Sequence, residues 1–178
     1  MRVGWSYPLV AAFAISACSM LRGNAGVPNA EKSAGPDYGE QAELRAIGGS
    51  AVIGKVRVID RGNAGTVLVS AINIPPGDFR IAFHETPNCS SPNGFSAGPA
   101  WAPAGKRPED VTPTLHVNSE GRAEMEIRVP GLHAGGVEGV AGRSVVLYAG
   151  PHITQARPDV PNERIACGVF GAARPPQF

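Results

Sequence analysis

Beyond Ala51 the chain alternates apolar and polar residues with a period of two, the mark of short strands that bury one face. Val52, Gly54, Val56 and Val58 alternate with Ile53, Lys55, Arg57 and Ile59. After a turn at residues 61–65, a second run over 66–72 sets Val67, Val69 and Ala71 against Thr66, Leu68 and Ser70. Together the two runs predict a hairpin. Pro75-Pro76-Gly77 breaks the chain, and residues 79–85 follow as a third strand, with Phe79, Ile81 and Phe83 on one face and Arg80, Ala82 and His84 on the other. Residues 115–118 and 123–129 predict a second hairpin around Ser119-Glu120-Gly121, with Ala123, Met125, Ile127 and Val129 facing in. Strands over 144–149 and 165–170 complete the pattern. The segments 86–113, 131–142 and 151–163 are rich in glycine or proline and lack alternation, so they read as loops. About seven short strands without an amphipathic helix predict an all-β fold, an antiparallel Greek-key barrel or sandwich.

Composition agrees. Twenty-three glycines and seventeen prolines among 178 residues oppose long helices, and 43% apolar residues suffice for one domain with a real core. A net charge of +1 gives no reason to expect nucleic acid as a partner. Arg2 followed by the apolar run at residues 9–15 marks 1–18 as a targeting segment, too short to span a bilayer stably. Residues 19–47, polar and without sustained period apart from a helical turn around Glu40 to Arg45, read as a flexible tether. The domain is then expected over 48–172, with a tail at 173–178.

The run Ile15-Ser16-Ala17-Cys18 resembles the lipobox of bacterial lipoproteins, which implies a lipidated Cys18 and attachment to a membrane; the alternative is a plain secretory signal cut nearby. With Cys18 lipidated, Cys89 and Cys167 remain as an even pair in an oxidising compartment, and one disulfide is the expected outcome, with two buried thiols as the alternative. Such a bridge closes a loop of roughly 79 residues and contributes about 4 to 5 kcal/mol on the chain-entropy model.

His84-Glu85 followed by Cys89, the turn Ser96-Ala97-Gly98, the pair Gly142-Arg143 and the run Arg164-Ile165-Ala166-Cys167-Gly168-Val169 together resemble the copper/zinc superoxide dismutase family over residues 48–172. That resemblance implies a Greek-key barrel, the Cys89–Cys167 bridge and a copper and zinc site. It also locates the ligands. The family's His-x-His pair falls on Ala82 and His84, its bridging histidine near Ala100, its zinc ligands within 101–111, and its last copper histidine on Tyr148. Segment 101–111 has no histidine and offers only Glu109 and Asp110, a poor zinc pair without imidazole partners. A neutral phenol is a weak copper ligand beside imidazole. Of the expected ligand set only His84 is in place. His116, His133 and His152 are the histidines from which a site would have to be rebuilt.

Arg164 matches the family's anion-guiding arginine; it reads either as that group or as a structural donor to loop carbonyls near Cys89. Trp101 and Phe95 read as fillers of the space left by the missing imidazoles, or as anchors for a partner. Glu85 carries no assigned chemistry. No phosphate loop, His-Glu-x-x-His or Cys-x-x-Cys is present. The expectation is a lipid-anchored domain of the cell envelope, on its periplasmic or extracellular face, without a metal cofactor and without dismutase activity. It would serve as a binding or structural module whose partner is an envelope protein or a second copy. The alternative is a divergent, copper-dependent dismutase or redox enzyme that uses His84 and recruited ligands.

Overall fold

The computed structural model describes residues 39–149 and 164–172, together with Met1 and Gly4. Residues 39–172 lie in the unit Ala34–Phe178. The targeting segment with Cys18, most of the expected tether, the segment with His152 and the tail lie outside the described residues.

Eight strands follow in chain order: β1 Gly39–Ala46, β2 Ile53–Arg61, β3 Ala64–Ile72, β4 Gly77–His84, β5 Thr114–Val117, β6 Arg122–Pro130, β7 Ser144–Ala149 and β8 Arg164–Ala172. Two 3-10 turns, Phe95–Ala97 and Pro108–Val111, punctuate the long connection between β4 and β5. All pairings are antiparallel, in the order β5-β4-β7-β8-β1-β2-β3-β6. The sheet curls until its two edge strands meet at the turn after β5, where Asn118 N–H donates to the Arg122 carbonyl at 3.0 Å. The result is a nearly closed Greek-key barrel. Its interior is filled by the apolar halves of the alternating runs, including Val56, Val58, Val67, Val69, Ile81, Phe83, Leu115, Val145 and Leu147.

Three expectations need correction. Residues 39–46 are neither tether nor helical turn; they form β1, a central strand bonded to β2 on one side and β8 on the other. The strand buries only Ala42 and Leu44, so its own sequence carries little apolar signal, and the pairing edges of its neighbours decide its conformation. β5 and β6 are not a laddered hairpin. β5 pairs with β4 and β6 with β3, and the turn between them spans the barrel seam. Ile127, expected inside, is 39% exposed, because β6 is an edge strand that the barrel does not cover at that point.

Candidate functional site

The barrel wall made by β4, β7 and β8 has a second, smaller apolar cluster on its outer face, formed by Ala82, Val146, Tyr148, Cys167 and Ala97. Period-two alternation builds it: Ile81, Phe83, Val145 and Leu147 point inward, so Ala82, His84, Val146 and Tyr148 point outward. The connection after β4 covers this face. It is pinned at the Cys89–Cys167 disulfide, Cα to Cα 5.7 Å, and against β4 by bonds from Glu85 N–H to the Pro99 carbonyl and from Trp101 N–H to the Phe83 carbonyl. The expected bridge is therefore present.

His84 is buried at 1% exposure, and both its ring nitrogens are occupied. Nδ1 lies 2.8 Å from the Gly98 carbonyl, which can only accept, so Nδ1 carries the proton and donates. Nε2 then holds the lone pair, and the Tyr148 hydroxyl, 3.0 Å away, donates into it. The two rings run nearly parallel, with centroids 5.9 Å apart. Desolvation by burial is the main cause that lowers the imidazole to about 4, and the nearby Arg164 charge acts in the same direction, against the bonds to Gly98 and Pro99. The ring is neutral at any ordinary pH.

Gly98 is required where it is. Its φ of +76° lies in the left-handed region, and a Cβ there would come within 2.6 Å of the Thr86 hydroxyl. That geometry aims its carbonyl at His84. Tyr148 sits opposite Arg80 in the β4–β7 register, four residues from His84, with Ala82 between them on the same face.

Arg164 is buried as well. Its Nη1 donates to the Gly94 carbonyl at 2.6 Å, and its guanidinium lies 5.1 Å from the Phe95 ring centroid and 5.4 Å from that of Tyr148. It thus ties the covering connection to β8 by the loop-carbonyl bond that its structural reading anticipated. Phe95 shields this arginine, whereas Trp101 is not in the outer cluster at all: it belongs to the main core, with the Arg143 guanidinium 3.8 Å from its ring centroid. The space beside His84 is filled instead by Tyr148, Ala82 and Ala97, a role that sequence reasoning did not give to Tyr148.

The remaining candidates stand apart. Ala100 bridges to His84 through backbone only. Glu109 and Asp110 are exposed and both pair with Arg107, at 3.4 and 2.9 Å, and that hydrogen bond holds the Asp110 carboxyl below its usual range. His116 pairs with Asp78 on β4 at 2.6 Å, and His133 with Asp60 at 3.4 Å. Among the described residues no three His, Cys, Asp or Glu side chains converge on a point that could hold a metal ion. The donor set does not fit copper: the one imidazole at a ligand position has its lone pair taken by the phenol that stands at another.

The chain matches no curated protein. The family model for copper/zinc superoxide dismutase matches residues 52–170, from β2 through β8. With eight antiparallel strands in Greek-key order and the bridge between the loop after β4 and the last strand, this match shows that the chain belongs to the copper/zinc superoxide dismutase family.

Proposed function

We propose that this chain is a superoxide dismutase-fold domain of the cell envelope, lipid-anchored through Cys18, that works without copper or zinc as a binding or structural module. The observation that carries the reading is the Tyr148 hydroxyl donating into Nε2 of His84 at 3.0 Å. Dismutation by the family's route needs a copper ion held by several nitrogen donors in fixed geometry. Here Ala82 and Tyr148 occupy two of those positions, Ala100 lies near a third, and the fourth donor is engaged. To bind copper, His84 would have to break its buried hydrogen bond with the Tyr148 hydroxyl. An envelope protein or a second copy of the chain is the partner this reading calls for, and the lipobox-like run ending at Cys18 is the support for the membrane address.

The test is superoxide removal by the full-length protein after incubation with copper and zinc and removal of free ions. The expected result is no activity above buffer, equal in wild type and His84→Ala. Dismutation by the wild type that His84→Ala abolishes would overturn the proposal and restore the enzyme.

A further inference from the structure

The outer face of β2, β3 and β6 sorts its charges by strand. The register sets Arg57 beside Leu68 and Leu68 beside Glu126, and in the next row Lys55 beside Ser70 and Ser70 beside Glu124. All six side chains point outward, since Val56, Val58, Val67, Val69 and Ala123 fill the core. They line an open trough of about 420 Å³. β3 supplies its floor, half-buried Leu68 and exposed Ser70, while β2 supplies a cationic wall and β6 an anionic one. The walls rise two strand spacings apart, roughly 9 to 10 Å at their bases. Among the described residues none of these four charged side chains forms an ion pair or a hydrogen bond, and Arg57 Nε is buried without a partner. Glu43, opposite Lys55 on β1, accepts from Gln41 at 2.7 Å.

Opposite charges on adjacent strands pair with each other. Here a neutral strand holds the signs apart, so the field runs across the trough from β2 to β6. A ligand of one sign is drawn to one wall and repelled by the other. A ligand with a carboxylate at one end and an ammonium at the other satisfies both. The spacing adds a length, because an extended peptide advances about 3.3 to 3.6 Å per residue and three residues therefore match the separation of the walls. Laid across the strands, such a peptide sets its α-carboxylate on the Arg57 guanidinium, whose planar fork fits a carboxylate, and its α-ammonium at Glu126. Its middle side chain rests on Leu68, which favours an apolar residue there, and Ser70 offers a hydroxyl to the peptide backbone. Lys55 and Glu124 extend the two walls with the same polarity. The volume of about 420 Å³ lies within the range of small-ligand sites, about 300 to 1,000 Å³.

We propose that the trough over β3 binds short peptides with free termini, about three residues long with an apolar residue in the middle, running from Glu126 at the amino end to Arg57 at the carboxyl end. The walls are open to water, so the affinity is low and falls as salt rises. The site gives the binding-module reading a ligand class without resting on it. Neither His84 nor a metal takes part, so a positive dismutase assay would leave the peptide site standing, and a failed peptide titration would leave the loss of dismutase chemistry standing.

The test is calorimetric titration of the full-length protein at low salt with the peptide Ala-Leu-Ala, beside the same peptide acetylated at its amino end, amidated at its carboxyl end, or blocked at both. The free peptide should bind saturably, one per chain, and each single block should weaken binding about fivefold. Arg57→Gln should weaken binding of the free peptide by a similar factor and remove most of the difference between free and amidated peptide, while the difference between free and acetylated peptide persists. Glu126→Gln should do the reverse. Discrimination kept at the opposite end shows that each variant still folds and still carries the trough. No saturable binding of Ala-Leu-Ala to the wild type at millimolar concentration, equal binding of the doubly blocked peptide, or discrimination that neither variant alters would each overturn the proposal.

Discussion

His84 is an imidazole kept neutral by its surroundings, and this has a thermodynamic signature. In the folded chain it titrates at about 4, against about 6.5 when unfolded. As pH falls below the unfolded value, the unfolded chain takes up a proton that the folded chain refuses, so stability is lost between roughly pH 6.5 and 4 and is unaffected by this group above that window. The loss amounts to about 3 kcal/mol. His84→Gln has no such proton to bind. Urea unfolding at pH 7 and pH 4 should therefore show the wild type losing about 3 kcal/mol more than the variant; an equal loss in both would mean that His84 is not held neutral. At this scale the sequence offered His84, Cys89 and Cys167, and a family resemblance that sets Ala82 and Tyr148 at expected ligand positions. It did not show the phenol on Nε2, because that contact joins residues offset by four in the register.

Among the elements, β1 separates what was legible from what was not. β2, β3 and β4 announce themselves by alternation because their inward residues are mostly Val, Ile and Phe, and β7 and β8 as short apolar runs buried on both faces. β1 reads Gly-Glu-Gln-Ala-Glu-Leu-Arg-Ala, rich in helix formers, and buries two side chains. Local propensity loses there to the two open edges, β2 and β8, that need a strand between them. A chain shortened to begin at residue 48, the boundary that alternation suggests, would lose that strand and expose both edges. It should be insoluble or lack a cooperative unfolding transition, whereas a chain beginning at residue 34 should unfold cooperatively. Cooperative unfolding of the shorter chain would show that β1 is dispensable. The disulfide acts on a different element, fastening the connection after β4 to β8 where Arg164 also holds it at Gly94.

Taken as a whole, the molecule has a Greek-key frame with its crosslink, and the outer face of β4, β7 and β8 is closed by apolar and phenolic groups. Frame and chemistry separate because different residues encode them: inward positions hold the barrel, and outward positions on β4 and β7 hold the site. Substituting the second set leaves the first intact. The most direct check of this separation is the copper and zinc content of the full-length protein, purified from its natural source without chelators, beside that of His84→Ala. Both should contain far less than one ion per chain and should not differ. One copper per wild-type chain, absent from His84→Ala, would contradict the account.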